Sequence, residues 1–282
     1  MLKRIFKQRM RTKKFYLLCL LFSILTFHCF SQNFIEQQRR FPRVKEAIES
    51  KDVYLRKLFK AKGLEYPPRK IYVRIFKIEK IVELWAFSLK LRHFVKVKTY
   101  RMCLVYGLPG PKRKEGDFQI PEGIYFIDRF NPYSRCYLSL GINYPNKSDR
   151  IRGYKKRLGG DIFIHGGCGS RGCIAITDDK IKELYWLAVQ AKGMGQQKIP
   201  VHIFPCKMTL IKMTFLKLFA YNPYYWIVLK FLIRNSHPHT PKELVSFWNE
   251  LKEVYDYFEK NRTLPEIRIS SKGEYKIQNF TL

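Results

Sequence analysis

The sequence predicts an α+β fold, a β-rich mixed sheet or sandwich with helices flanking it at the N- and C-terminal ends. Three observations carry that expectation. Between residues 70 and 207, short runs rich in Val, Ile, Tyr and Phe alternate with Gly/Pro turns; residues 33–62 repeat apolar side chains at helical spacing; and a capped amphipathic segment begins at Thr240.

Taken in order, residues 33–62 place Val44, Ile48, Leu55, Leu58 and Phe59 at roughly helical spacing, which predicts a docking helix. YPPRK (66–70) stops it, because proline lacks the N–H that a continuing helix requires. The pattern then turns to β. IYVRIFKI, IVELWAFSL and FVKVKTYRMCLVYGL alternate in part, and GIYFIDRF, CYLSLGINY, DIFIHG and VHIFP add shorter strands. One helix is placed late in this region, in ITDDKIKELYWLAVQAKG. Thr177 or Asp178 can cap it, Asp178 and Asp179 favour its positive end, Ile181, Leu184, Tyr185 and Ala188 form an apolar stripe, and Gly193 can end it.

Phe215 to Asn235 is apolar but interrupted by Asn222-Pro223 and by lysines, so it reads as a buried or interfacial helical segment rather than a membrane span. In TPKELVSFWNELKEVYDYFEKN, Thr240 is the N-cap, Pro241 the first helical residue and Glu243 the partner in a capping box. Leu244, Phe247, Trp248, Leu251, Val254, Tyr255 and Phe258 fall on one face, and PEIRIS adds a terminal strand. The expected organisation is an N-terminal helical segment (32–69), a β-rich domain (70–207) and a C-terminal helical extension packed on it (208–282).

Residues 1–31 read differently. Seven Lys or Arg and no acid precede the apolar run Phe15–Phe30, the pattern of an export signal or an uncleaved membrane anchor. Export predicts a periplasmic location, with the inner membrane touched only through this segment if it is retained. The whole chain carries 54 Lys+Arg against 23 Asp+Glu, a formal charge of +31, and removing the segment leaves +24. Such a surface suits an anionic wall or membrane polymer. Nucleic acid is not an expected partner of an exported chain without zinc-finger or RNA-binding signatures.

The chemistry concentrates in Asp161 to Thr177, DIFIHGGCGSRGCIAIT. His165, Cys173 and the glycine-rich turn between them offer an imidazole, a thiol and backbone donors, the parts of a cysteine nucleophile with an oxyanion hole. Two other readings stay open on spacing alone. His165, Cys168 and Cys173 could ligate zinc, although the spacing is not a familiar one. Cys168 could bridge to Cys173, or either to Cys206; the five cysteines after residue 31 (Cys103, Cys136, Cys168, Cys173, Cys206) are odd in number, so at least one has no partner within the chain.

HGGCGSRGCIAITDDKIKELY resembles the signature of the L,D-transpeptidase catalytic domain, a histidine-glycine pair followed by S-x-G-C and a helix. KEGDFQIPEGIYFI, NPYSRCYLSLGINYPNKSD, FPCKMT and FWNELKEVYDYFE are similar to the compact periplasmic murein branch of that family, so the resemblance spans roughly residues 40 to 275. It implies a Cys173 nucleophile acting on the third residue of a peptidoglycan stem peptide, with His165 as base, oriented by a backbone carbonyl near Gly166. Ser170 would shape the loop, the N–H groups of Arg171, Gly172 and Cys173 would hold the oxyanion, and Arg171 could meet a substrate carboxylate. The acyl group would pass to an amine, including that of a wall-attached protein, or to water. A hydrolase of the same family that detaches stem-linked groups and a non-catalytic basic wall-binding module are the alternatives. No cofactor and no metal are expected. The short separation of Cys168 and Cys173 adds the expectation that a bridge between them would switch the enzyme off.

Overall fold

The computed structural model describes residues 34–103, 107–154, 157–232 and 240–278. The segment expected to direct export or anchoring, residues 1–31, lies outside these, as do residues 104–106 of the third β run and residues 233–235 of the apolar C-terminal stretch.

The N-terminal helical pattern is realised as α1 (Pro42–Ala61), preceded by a separate helical stretch over residues 34–39 rather than continuous with it. The break falls at Arg40–Phe41 because Pro42 takes the first helical position, where its missing N–H removes no intrahelical bond. α1 buries Val44, Ala47, Leu55 and Phe59.

Eight strands form one mixed sheet: β1 (Ile71–Phe76), β2 (Ile81–Ser88), β3 (His93–Arg101), β4 (Gly123–Asn131), β5 (Ser139–Ile142), β6 (Phe163–His165), β7 (Ile174–Ala175) and β8 (Ile199–Phe204), in the order β3-β2-β1-β8-β4-β5-β6-β7. β1–β8 and β6–β7 are parallel; the other neighbours are antiparallel. Of the sheet and sandwich left open by the sequence, the fold is therefore a sheet sheathed by helices.

β1 shows why. All six of its residues are buried, since both faces are covered. Ile71, Val73 and Ile75 enter the core shared with α1 and with α3 (Asp178–Gly193). The alternate residues face α6 (Pro241–Asn261): Tyr72 packs on Phe258, Phe76 on Tyr255, and Arg74 Nη1 donates to Glu259 at 2.6 Å.

α3 lies between α1 and the sheet, so the predicted stripe of Ile181, Leu184, Tyr185 and Ala188 is joined by buried Trp186, Leu187, Val189 and Ala191. The expected side-chain cap is absent. Thr177 sits at the N-cap with φ +76° and makes no capping bond through its hydroxyl. The carboxylate of Asp178 instead accepts the N–H of Gly167 at 2.6 Å, back in the glycine-rich turn.

The short α2 (Lys147–Arg152) is closed by a capping box between Asn146 and Asp149. The C-terminal apolar stretch forms α4 (Leu210–Tyr221) and α5 (Pro223–Leu232), divided at Asn222–Pro223. Among the described residues no helix is long and apolar enough to cross a membrane. α6 carries the predicted Thr240/Glu243 capping box and buries the seven predicted residues from Leu244 to Phe258. PEIRIS supplies β9 (Ile267–Ile269), paired antiparallel with β10 (Tyr275–Ile277).

Candidate active site

The glycine-rich turn connects β6 to β7, two very short parallel strands at one edge of the sheet. Ile164 pairs with Ile174 and both enter the core. Alternation then puts His165, at the end of β6, and Cys173, just before β7, on the opposite face. The parallel register sets Cys173 level with Phe163, and its sulfur is tied there: the Phe163 N–H donates to Sγ at 3.4 Å, and the thiol donates to the Asp161 carbonyl at 3.6 Å. His165 stands two residues further along the same face, about 6–7 Å at the usual rise per residue. The thiol rests on this backbone and not on the imidazole.

His165 is buried, and its Nδ1 meets the Gly166 carbonyl at 2.5 Å. That carbonyl can only accept, so Nδ1 carries the proton and Nε2 is left with a free lone pair. Burial pushes the imidazole below its ordinary value, against the opposing pull of the Gly166 carbonyl. Burial likewise pushes the Cys173 thiol up, while the Phe163 N–H and Lys112 favour the thiolate. At neutral pH the resting pair is therefore a neutral thiol and a neutral imidazole.

The turn itself is pinned at several points. Gly166 is packed so tightly that a Cβ would lie 2.4 Å from the Asp178 carboxylate and 2.7 Å from the Cys136 carbonyl. The Ser170 hydroxyl donates to the Cys173 carbonyl at 2.7 Å, fixing the residue that bears the thiol. Gly172 has φ +113°, a conformation an L side chain resists, and it backs onto the Gln119 carbonyl. The backbone N–H groups of Arg171, Gly172 and Cys173 have no acceptor among the described residues, and the Arg171 side chain is exposed without a partner there.

None of the bridges left open by spacing, Cys168 to Cys173 or either to Cys206, is formed. Cys168 is bonded to Cys103, 65 residues away, with 5.1 Å between their Cα atoms; Cys136, Cys173 and Cys206 are free. The reason is the path of the chain after β3, where the Cys103 N–H donates to the Ala175 carbonyl at 2.9 Å and brings Cys103 beneath the turn. A Cys168–Cys173 switch is thereby excluded as long as this bridge holds. The bridge also occupies one of the three sulfur and nitrogen atoms that zinc would have needed.

A second loop, residues 107–122, closes over Gly172. It is anchored from below by Lys77, whose ammonium reaches Glu122 at 2.9 Å and the Gly110 and Ile120 carbonyls at 2.7 and 3.0 Å. Trp248 of α6 donates to the same Glu122 at 2.8 Å. Within the loop, buried Lys112 donates to Asp117 at 2.6 Å and to the Lys114 carbonyl at 2.8 Å. Cys103, Lys112, Asp161 and Asp178 are thus parts of the site that the sequence reading does not single out. Export left a bridge open and Asp178 had the place of a helix cap, but the contacts themselves join segments separated in sequence.

Residues 86–203 match the family model described as YkuD, L,D-transpeptidase catalytic domain. A protein of Escherichia coli (strain K12) named "Putative L,D-transpeptidase YafK" is 32% identical over 209 residues, 73% of this chain and 73% of that one. Among solved structures, that of the helical cell shape determining protein Pgp2 from Campylobacter jejuni is 19% identical, covers 73% of this chain and 74% of its own, and has a TM-score of 0.38. The structure of Bdellovibrio bacteriovorus Bd1075 is 18% identical over 75% and 78% of the two chains, with a TM-score of 0.35.

Proposed function

This chain belongs to the L,D-transpeptidase family, and from that membership we propose that it is a cysteine acyltransferase acting on peptidoglycan tetrapeptide stems outside the cytoplasm. Cys173 attacks the carbonyl of the third stem residue, and the terminal D-alanine leaves. The observation that carries the reading is the shared face of His165 and Cys173, with the His165 tautomer fixed by the Gly166 carbonyl so that Nε2 is the free base.

The neutral resting pair defines the order of events. Substrate entry draws the sulfur from the Asp161 carbonyl; the thiol proton passes to His165 Nε2 as sulfur bonds to the carbonyl carbon. The tetrahedral oxygen is received by the N–H groups of Arg171, Gly172 and Cys173, donors that need no reorganisation and typically supply a few kcal/mol. Collapse breaks the C–N bond, and the imidazolium returns its proton to the departing D-alanine amine. An amine or water then attacks the thioester, restoring the thiol. Arg171, whose side chain is exposed, would pair with a stem carboxylate.

Incubation with purified disaccharide-tetrapeptides, followed by mass spectrometry, tests this. D-alanine release with a cross-linked dimer identifies transpeptidation, and release alone identifies hydrolysis. Both should vanish in Cys173→Ala, together with the covalent adduct formed by a carbapenem. Turnover that survives Cys173→Ala, or an intact chain that binds the muropeptide and never releases D-alanine, would refute the proposal; the second result would favour a basic wall-binding module.

A further inference from the structure

α4 is apolar on two sides. Met213, Leu216 and Ala220 enter the core against α6, as one helical face should. Ile211, Phe215 and Leu218 repeat the same spacing on the outer side, yet they are 72%, 66% and 66% exposed. Tyr221 continues that stripe, and Tyr224 and Ile227 extend it onto α5. A folded chain does not ordinarily leave a contiguous apolar surface of this kind in water unless something covers it.

The charge around the stripe identifies the cover. From Pro205 to Lys242 there is no carboxylate, while Lys207, Lys212 and Lys217 line the described part of the segment. Lys212 is engaged with Glu79, but Lys217 is exposed and has no partner among the described residues. Two short helices with apolar residues and tyrosines on the outer side, lysines beside them and no acids have the composition of an interfacial membrane element. The +31 charge of the whole chain favours the same anionic surface.

We propose that the α4–α5 pair of helices is a docking surface that seats this chain on a bilayer rich in anionic glycerophospholipids. The position of the pair gives the docking a consequence. The Tyr225 hydroxyl donates to the Pro109 carbonyl at 2.7 Å, at the start of the loop that closes over Gly172. The seated helices would therefore hold the active-site loop beside the membrane surface. This does not depend on the reaction proposed above.

The test uses the full-length chain carrying Leu218→Trp, mixed with vesicles of phosphatidylglycerol and phosphatidylethanolamine bearing brominated acyl chains. Trp85, Trp186 and Trp248 are buried and Trp226 half-buried, so the unaltered chain provides the background emission. The added emission should shift to the blue and be quenched, and the quenching should weaken with salt and with phosphatidylcholine replacing phosphatidylglycerol. A reporter at Val53→Trp, exposed on α1, should stay unquenched. Adding Ile211→Glu and Phe215→Glu to the Leu218→Trp chain should lower its vesicle affinity as read by quenching at least roughly tenfold. These positions are on the surface, so an unchanged circular dichroism spectrum accompanies that result. Sedimentation with vesicles while Leu218→Trp remains unquenched would overturn the proposal, because residues 1–31 alone would then hold the membrane. Equal quenching on neutral and anionic vesicles, or shielding of the reporter only by a bound protein, would overturn it as well.

Discussion

Removing the Cys103–Cys168 bridge is the perturbation whose size follows most directly from the structure. The bridge spans 65 residues of chain. In the chain-entropy account, closing a loop of that length lowers the entropy of the unfolded chain enough to stabilise the fold by about 4 kcal/mol at 25 °C. Against the 5–15 kcal/mol typical of a domain, that is a large share. The variant should be Cys103→Ser/Cys168→Ser, since a lone Cys168 thiol could exchange with Cys173. Urea unfolding, followed by circular dichroism without reductant, should show a lower midpoint and a steeper m-value, because the uncrosslinked unfolded chain exposes more surface. The turn keeps the Gly167–Thr177, Gly167–Asp178 and Ser170–Cys173 bonds, and Phe163 and Asp161 still hold the Cys173 sulfur, so folding should survive and D-alanine release should fall less than stability does. A stability loss below about 1 kcal/mol with an unchanged m-value would show that the loop-closure reasoning does not apply to this bridge.

Gly166→Ala should cost about 1–3 kcal/mol by overpacking, because the new methyl meets the Cys136 backbone carbonyl at 2.7 Å as well as the Asp178 carboxylate; D-alanine release should fall more than stability does, since the carbonyl that holds His165 must move. Full activity in this variant would remove Gly166 from the positioning of the base. His202 gives a pH prediction. It is buried beside Tyr72, 2.7 Å from the hydroxyl, and burial pushes its imidazole down to about 3. The unfolded chain, with a pKa near 6.5, binds the proton first, so this group's stabilising contribution is present above that pH and is lost as pH falls from about 6.5 towards 3, at up to about 1.4 kcal/mol per pH unit. Burial pushes Asp149 up to about 6, which works in the opposite sense but equally in parent and variant. His202→Gln should therefore flatten the dependence of unfolding free energy on pH relative to the parent; parallel profiles between pH 4 and 6.5 would contradict it.

Much of the fold is legible where a local pattern and its burial coincide. α6 follows the reading residue for residue, because its capping box and apolar face are satisfied by one long helix laid on the sheet. The outcome for α3 shows the limit: its sequence displays one stripe, but enclosure between α1 and the sheet buries other sides too. Thr177 and Asp178 look like caps in isolation, and the competition is won by the Gly167 N–H, which Asp178 reaches only because the turn folds back over the helix start. Lys77 and Glu122 would pass for surface charges in any window of sequence, yet they are buried together under the loop that covers Gly172.

The sequence by itself determined the family, the strand-rich core and the candidate pair His165 and Cys173 within eight residues of each other, since these depend on residue identity and short periodicity. Tertiary structure decided the rest. It chose Cys103 as the partner of Cys168, turned the Cys173 thiol to the Asp161 carbonyl, and left the outer stripe of α4 in solvent. Each of those outcomes depends on which distant segment lies alongside, and a residue's spacing along the chain carries no record of that neighbour.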